Sequence, residues 1–336
     1  WLHRLLTFLG EKRAEPMRLR GARLLAWARA LDEGERIDFA PRPEPKPPLN
    51  VRPRHFSVTE IETLRRDPYA VYARRILGLM PVEPLLRDPG AAERGTLFHA
   101  ILHRFSKTVD DPRDPAALTA LIGIGRACFA EAALPQDVEA VWWPRFEKLA
   151  VKILDWERGR TASVRQRFAE ERAEKTFVGA TGVTLSGYAD RVDLLDGGKA
   201  EIIDYKTGYS PSKAQAHTLL APQLALEGAL LMRGAFRQLG ACEPEDLAFV
   251  RLKANGEVLP ESILSHNGQH RNAVELSEEA WARLERLLEY YNDPSAGYLS
   301  RALPMREGEL DGDYDHLARV AEWSAAGDGP DAEAGA

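Results

Sequence analysis

The sequence predicts an α/β fold in which a mixed central β-sheet is flanked by helices. Segments with apolar residues at helical spacing lie on both sides of a block, residues 175–206, that is rich in Val, Ile, Tyr and Thr. The Asp-Gly-Gly-Lys stretch at 196–199 divides this block as a hairpin turn would. Helices before and after a few strands imply helical layers packed on a sheet.

The helical predictions begin at the amino end. Residues 1–40 form a helical extension, and prolines at nearly every second position make 41–50 an extended linker. A capping box opens the next helix at Ser57, and Asp67, followed by a proline, is the predicted N-cap of another that runs to Leu77. Further helices are predicted at 94–107, 115–134, 137–165, 219–239 and 278–291.

The predicted strands are 175–178, 183–195, 200–206 and 247–252. A chain reversal at 197–198 places Asp190 opposite or beside Asp204. Opposed strand residues have Cβ atoms about 4.5–5.5 Å apart, and two unit charges at that distance repel by about 3–4 kcal/mol at an effective dielectric of 20. A divalent cation such as Mg²⁺ or Mn²⁺ would offset this repulsion, because both metals prefer carboxylate oxygens.

Lys206 is predicted to stand beside this pair of carboxylates. Strand side chains alternate, so Asp204 and Lys206 share one face while Tyr205 points away. The alternative is a ladder of surface ion pairs on a half-solvated sheet. The consecutive Ile202 and Ile203 favour a strand buried on both faces, where unpaired charges are costly.

Together, Asp190, the Asp204-Tyr-Lys-Thr-Gly run and the Gly95-Thr-Leu-Phe-His99 run resemble the RecB-type branch of the PD-(D/E)XK nucleases. The resemblance implies the core fold of that superfamily, with helical insertions. It also implies a catalytic set and a Mg²⁺ site, with Mn²⁺ as a possible substitute. The implied catalytic residues are Asp190, Asp204, Lys206 and Gln223, and the implied metal ligands are His99, Asp190, Asp204 and the backbone carbonyl of Tyr205. Gln223 resembles the first residue of that branch's Gln-xxx-Tyr motif, although Glu227 replaces its tyrosine.

Residues 57–72 and 312–323 narrow the resemblance to the C-terminal nuclease region of the alphaproteobacterial-type AddB family. This likeness implies an Mg²⁺-dependent exonuclease that acts on DNA ends with an AddA helicase-nuclease partner, in double-strand break repair by recombination. Residues 51–310 are predicted to form one nuclease domain of this kind. The acid-rich composition of 311–336 predicts a partly disordered tail. Many relatives have an iron-sulfur ligand cysteine where this chain has Asp67, so no cluster is expected.

Composition excludes several other classes. A net charge of −6 argues against a protein that coats nucleic acid through excess Lys and Arg. The two cysteines are too few for a four-thiolate metal site, and no Gly-xxxx-Gly-Lys-Ser/Thr run is present to bind ATP. Without an 18-residue apolar run or a signal peptide, the expected location is the cytoplasm, near the nucleoid, with no membrane partner. The first residue is Trp1, which suggests a fragment.

Three interpretations stay open. The arginines at 65, 66, 74 and 75 either contact DNA phosphates or form the solvated face of two helices. His99 and His103 have a spacing that could hold zinc, but they lack the glutamate of a zinc-protease helix. The competing function is a catalytically dormant nuclease-like scaffold that docks AddA and guides single-stranded DNA. The complete Asp190, Asp204 and Lys206 set argues against this alternative.

Overall fold

The structure, a computed structural model, describes residues 1–32, 41–82, 89–208, 210–303 and 312–324. The end of the first predicted helix and the predicted disorder near the carboxyl terminus lie outside these ranges. The chain divides into two compact units, one made of Trp1–Arg42 and Arg319–Ala336 and one of Pro43–Ala318. The first contains helices α1 (Leu2–Leu9) and α2 (Glu11–Asp32) and a short helix at Val320–Ser324.

The second unit contains the sheet. Its helices are α3 (Val58–Arg66), α4 (Pro68–Val71), α5 (Ala91–Thr108), α6 (Ala117–Ala132), α7 (Gln136–Arg160), α8 (Lys213–His217), α9 (Gln223–Met232) and α10 (Ala273–Tyr291). Its strands are β1 (His55–Ser57), β2 (Val164–Phe177), β3 (Thr184–Leu195), β4 (Ala200–Lys206), β5 (Pro244–Leu252), β6 (Val258–Ser262), β7 (Ser265–His266) and β8 (Gln269–His270). A 3-10 turn at Leu49–Val51 and a π-helical turn at Tyr72–Ile76 complete the unit.

Six strands form one mixed sheet in the order β1-β3-β4-β5-β6, with β2 also paired to β3. The β1–β3 and β4–β5 pairs are parallel and the other pairs are antiparallel. The short β7 and β8 form a separate two-stranded sheet. The predicted fold class, a mixed sheet flanked by helices, is therefore confirmed.

The sheet separates two hydrophobic cores. The first core lies against α3, α9 and α10, and the second lies against α5, α6 and α7. Ile202 packs into the first core and its neighbour Ile203 into the second, and neither has any exposed surface. β4 is therefore buried on both faces, as its consecutive isoleucines predict.

The hairpin register agrees with the prediction. Arg191 pairs with Ile203 and Val192 with Ile202 across the β3–β4 turn, so continuation of the ladder brings Asp190 level with Asp204. The predicted capping box is also present, because Ser57 Oγ accepts from the Glu60 N–H and the Glu60 carboxylate accepts from the Ser57 N–H.

Several predicted boundaries are wrong. The helix predicted to reach residue 165 ends at Arg160, and the residues from Val164 onward belong to β2, which begins well before the predicted start at 175. The helix predicted at 219–239 is shorter at both ends, since α9 covers only Gln223–Met232. Leu219, at the predicted start, has φ 61°, which is not a helical conformation. β6 was not predicted at all.

The helix predicted after Asp67 is also shorter than expected. Only Pro68–Val71 is α-helical, and the chain continues as the π-helical turn. The Asp67 side chain makes no N-cap hydrogen bond and instead accepts from the backbone N–H of Arg301 at 3.0 Å. A contact distant in sequence therefore replaces the predicted local one.

Residues 43–50 of the proline-rich segment are part of the second unit. The carbonyls of Pro43 and Pro45 accept hydrogen bonds from the backbone N–H groups of Ser300 and Tyr298. Arg52, which is buried, donates to the carbonyl of Pro47 and to four carbonyls in residues 291–296. No helix among the described residues is long and apolar enough to cross a membrane.

Candidate active site

A gap in the sheet creates the candidate site. β2 runs along one edge of β3, so β1 and β4 share the other edge. β1 pairs with residues 184–186 and β4 with residues 191–194, and within the described ranges no strand pairs with 187–190 on this edge. We call this gap the notch, and Asp190 stands at its carboxyl end.

Asp190 bridges the notch to β4. Its Oδ2 accepts a hydrogen bond from the backbone N–H of Tyr205 at 2.9 Å. The N–H and C=O of one strand residue point toward the same edge, so the Tyr205 carbonyl faces β3 beyond the last β3–β4 pair. The notch therefore brings together a carboxylate and a backbone carbonyl.

Asp204 lies on β4 next to the notch and is almost completely buried. Its Oδ1 accepts from Gln223 Nε2 at 2.7 Å, which joins the start of α9 to the sheet. Its Oδ2 lies 2.7 Å from Lys206 Nζ but receives no hydrogen bond of acceptable geometry. Asp204 therefore has an ionic contact on one oxygen and a directed hydrogen bond on the other.

His99 approaches from the opposite side of the notch. Its Nδ1 lies 3.3 Å from Asp190 Oδ2. Helix α5 comes this close because Gly95 has no side chain, and a Cβ there would lie 3.0 Å from Thr207 Oγ1 just past β4. Arg94 adds a hydrogen bond to the Thr207 carbonyl at 3.3 Å. The Gly-xxx-His spacing thus packs α5 against β4 and places the imidazole at the carboxylates.

Burial and mutual charge shift the pKa values at this site. Burial raises the pKa of Asp204 to about 6, and the attraction of Lys206 only partly opposes it. Burial alone would lower the pKa of His99, but its contact with Asp190 outweighs burial and raises that pKa. Burial would likewise lower the pKa of Lys206, yet Asp204 keeps it raised. The site therefore has a surplus of acidic groups that favours nearby positive charge.

A third carboxyl group, Glu227, extends this surplus. It lies one helical turn after Gln223, accepts from Gln223 Nε2 at 3.2 Å, and has an Oε2 without a hydrogen-bond partner. Burial first, and then the charges of Asp204 and Asp190, raise its pKa well above the ordinary value. The sequence marked Glu227 only as a departure from the Gln-xxx-Tyr motif, and its burial beside Gln223 was not predicted.

The model of the PD-(D/E)XK nuclease superfamily matches residues 55–309, a stretch that includes all of these side chains. The chain belongs to the PD-(D/E)XK nuclease superfamily. An uncharacterized protein of Rickettsia conorii is 27% identical over 260 residues, which are 71% of this chain and 31% of the relative. One of Rickettsia bellii is 26% identical over 253 residues, 71% of this chain and 30% of the relative.

The chain thus spans about a third of the length of these curated relatives. Among solved structures, the crystal structure of SSO0001 covers 70% of this chain and 77% of its own. Its sequence identity is 14% and its TM-score is 0.28, which is too low to support a functional comparison.

Members of a PD-(D/E)XK nuclease family are expected to hold a divalent metal, and the donors at the notch fit one. Among the described residues, no three His, Cys, Asp or Glu side chains already converge as a metal-binding group. Nevertheless, the notch presents the Asp190 and Asp204 carboxylates and the Tyr205 carbonyl, and carboxylate and carbonyl oxygens are the ligands that Mg²⁺ and Mn²⁺ prefer. A cation would also reduce the acidic surplus.

Most of the arginines predicted to contact DNA are engaged within the protein. Arg65 donates to the Leu219 carbonyl, Arg66 is buried and paired with Glu62, and Arg75 pairs with Glu60 of the capping box. Arg74 is exposed. Three of the four side chains therefore have partners within the protein. His103, the other helical histidine, pairs with Glu170 at 3.2 Å.

The sequence also did not predict a buried ion network on the other face of the same strands. Arg191 makes a two-pronged pair with Glu157 of α7 and another with Asp193, and all three residues are at most 3% exposed. The same guanidinium donates to Tyr205 Oη at 3.0 Å. Because Tyr205 also donates its backbone N–H to Asp190, this network anchors one residue of the notch.

Proposed function

We propose that this chain is the Mg²⁺-dependent nuclease module of an AddB-type helicase-nuclease subunit and that it hydrolyses phosphodiester bonds of DNA. The observation that supports this proposal is the pair of contacts at the notch, His99 with Asp190 and Lys206 with Asp204, which the Tyr205 N–H joins through its hydrogen bond to Asp190. Such an acid-rich cluster with buried carboxylates is costly to fold. A site built to hold a cation and a phosphate gives this cost a function.

The metal ligands in this proposal are His99, Asp190, Asp204 and the Tyr205 carbonyl. When bound, Mg²⁺ or Mn²⁺ would supply Lewis-acid stabilisation of the negative charge on the scissile phosphate. Asp190 is held by the Tyr205 N–H at 2.9 Å, so its carboxylate direction is fixed before any substrate arrives.

Lys206 acts as a cation and a hydrogen-bond donor. Its raised pKa keeps the ammonium protonated near neutral pH, so it is suited to orient the attacking water and to balance phosphate charge rather than to remove a proton. Alternation along β4 puts it on the same face as Asp204, with its Nζ 2.7 Å from that carboxylate.

Gln223 orients Asp204. The amide donates to Asp204 Oδ1 at 2.7 Å, which directs the other oxygen toward Lys206 and the notch. An ionised aspartate oxygen can only accept a hydrogen bond, and of the two ends of the Gln223 amide only the nitrogen can donate one. The amide nitrogen is therefore the group that Asp204 requires at this position.

The wider role in this proposal is end-dependent exonuclease action on the 5′-terminated strand during double-strand break repair, in complex with an AddA partner. The likeness of residues 57–72 and 312–323 to the AddB family supports it. The chain spans about a third of its curated relatives' length, so helicase partnership and strand choice belong to the whole protein. In this role the protein acts in the cytoplasm, at the nucleoid.

Cleavage of end-labelled linear DNA tests the proposal. Single- and double-stranded substrates at low salt, with Mg²⁺, Mn²⁺ or EDTA, are compared for the unmodified chain, Asp204→Asn and Lys206→Ala. Matched controls are Asp196→Asn and Lys199→Ala, which lie exposed in the turn between the same two strands. Metal-dependent cutting that is lost only in the first two variants supports the proposal. Equal cutting in all variants would overturn it, and absence of cutting in the presence of AddA would favour the dormant scaffold.

A further inference from the structure

A large groove extends away from the notch. It has a volume of about 1250 Å³ and follows strand β2. The end of α5 and the loop that follows it line one side, and Arg237 and Gln238 line the other. Within the part of the chain that the structure describes, β2 pairs with β3 alone, apart from an isolated bridge between Ala173 and Phe236, so its outer edge faces this groove.

The groove adjoins the candidate active site. A small cavity beside it is lined by His99, Asp190 and Tyr205. The two spaces share three lining residues: Ser106, Ala169 and Glu170. A molecule lying along β2 in the groove would therefore pass close to the cavity that Asp190 lines.

The charges in the groove favour an anion. Among the described residues, seven basic and five acidic side chains line it, although the whole chain carries −6. Arg113 neutralises Asp111, and Arg237 neutralises Glu174. Glu170 contacts His103, whose pKa is lowered by burial, and accepts from the Tyr188 hydroxyl. Neither contact removes its charge, so Asp110, Glu170 and Glu171 are the remaining acids against four remaining cations.

Four of the basic side chains have no ion-pair or hydrogen-bond partner among the described residues. They are Lys107, Arg165, Arg172 and Lys175, and each is exposed. Lys107 comes from the end of α5, whereas the other three are spread along β2 from its beginning to near its end. Unpaired cations in a line match a chain of phosphates better than they match a compact anion.

Tyr188 is not one of the lining residues of the groove but adds an aromatic surface beside them. It lies directly opposite Arg172 on β3, its hydroxyl donates to Glu170 at 3.1 Å, and half of its surface is exposed. It also stands two residues before Asp190 on the same strand. Exposed aromatic rings beside cationic side chains stack with unpaired bases, whereas the bases of a duplex are already stacked on each other.

We propose that this groove binds a single strand of nucleic acid and leads it to the notch, with Lys107, Arg165, Arg172 and Lys175 on phosphates and Tyr188 stacked on a base. The proposal rests on the proposed nuclease function, because the notch is the destination of the strand. The outer edge of β2 is also suited to an extended peptide, but a peptide would not account for the four unpaired cations.

Equilibrium binding without metal tests the groove separately from cleavage. The probe is a 5′-fluorescein-labelled oligothymidylate in EDTA at low salt, followed by fluorescence anisotropy. Arg172→Glu/Lys175→Glu is compared with Lys152→Glu/Arg286→Glu, a double variant with the same charge change at exposed residues of α7 and α10. We expect the groove variant to bind at least about tenfold more weakly. The slope of log Kd against the logarithm of the salt concentration should fall by about 1 to 2.

The proposed stacking of Tyr188 on a base has its own matched control. Tyr188 and Tyr290 are each 51% exposed, but Tyr290 lies on α10, away from the groove residues. Tyr188→Ala is expected to weaken binding by about tenfold, Tyr188→Phe to retain most of it, and Tyr290→Ala to leave it unchanged. Equal effects of the two alanine variants would overturn the assignment of Tyr188.

The outcomes separate the groove from the nuclease. If the groove variant and its charge control bind the oligonucleotide equally, the groove proposal is wrong, even if the chain cleaves DNA. If the groove variant alone loses binding while the unmodified chain never cleaves, the groove stands and the nuclease proposal fails. Failure of the unmodified chain to bind the oligonucleotide at low salt overturns the groove proposal as well.

Discussion

Two charged clusters occupy the same pair of strands and differ in how their charges are balanced. On one face, Arg191, Asp193 and Glu157 are joined by Arg160, Glu201 and Arg167 in a network with three cations and three anions. At the notch, Asp190, Asp204 and Glu227 surround one lysine and one histidine.

The difference shows how structural and functional charges can be told apart. In the network each carboxylate meets a guanidinium, so the buried charges are compensated within the chain. At the notch the carboxyl groups outnumber the cations, because Lys206 contacts Asp204 and His99 contacts Asp190 while the buried Glu227 has no cationic partner among the described residues. We infer that the network stabilises the fold, and under the proposed function a divalent cation would balance the excess acid of the notch.

The largest expected effect comes from a substitution that alters the notch and leaves the ion network intact. Asp204→Asn keeps the shape of the side chain but removes a proposed metal ligand, so Mg²⁺-dependent cleavage should fall by about 1,000-fold, equivalent to roughly 4 kcal/mol of transition-state stabilisation. The free energy of unfolding should not decrease, because a buried carboxylate with a raised pKa is being removed. Single-turnover cleavage and urea unfolding of the same preparation measure both quantities. A strongly destabilised variant would contradict the comparison.

The second effect comes from a substitution that alters the ion network and leaves the notch intact. Asp193→Asn leaves Arg191 with an incomplete set of charges in a fully buried position, and removal of one partner from a buried pair costs about 3 kcal/mol or more. Urea unfolding should show this loss. Cleavage by the fraction that remains folded should stay within about threefold of the unmodified chain. A large loss of activity without a loss of stability would show that the network takes part in the reaction.

The third effect concerns the residue that belongs to both clusters. Tyr205→Phe removes the hydroxyl that accepts from Arg191 but keeps the backbone groups at the notch. Loss of this buried hydrogen bond should cost about 1 kcal/mol of unfolding free energy, with cleavage reduced only slightly. Thermal and urea unfolding, with cleavage rates alongside, show whether the anchor affects the notch. If neither the unfolding free energy nor the cleavage rate changes, the Arg191–Tyr205 hydrogen bond does not support the notch.

The smallest effect is a pH dependence in the network. Burial raises the pKa of Glu201 despite the attraction of Arg160. A carboxyl group with a raised pKa in the folded state makes folding less favourable as the pH rises from its ordinary value of about 4.5 through the raised value. The Tm of the unmodified chain should therefore fall across this window by about 1–3 °C more than that of Glu201→Gln. Parallel Tm profiles of the two proteins would contradict this expectation.

Much of the notch could be predicted from the sequence because it depends on local rules. The turn at 196–199 sets the register that brings Asp190 level with Asp204, and alternation places Lys206 beside Asp204. His99 required the resemblance, since nothing in a helical pattern reveals which strand the helix meets. The site roles of these residues, including those of Gln223 and the Tyr205 carbonyl, stay predictions.

What the sequence did not predict depends on distant contacts. The beginning of β2, residues 164–174, is dense in charged residues and forms a strand because it pairs with β3. Glu157 meets Arg191 only after α7 has packed on the sheet, so the ion network had no local signal. The gap at 187–190 is a property of strand lengths, which sequence patterns define poorly.

Binding of Mn²⁺ tests the central contrast most directly, and electron paramagnetic resonance of the free ion measures it. The unmodified chain and Asp193→Asn should each bind Mn²⁺ at the notch, whereas Asp204→Asn should lose that binding. The same Mn²⁺ affinity in Asp204→Asn and the unmodified chain would contradict the account, because the notch would then be no more a metal site than the paired network behind it.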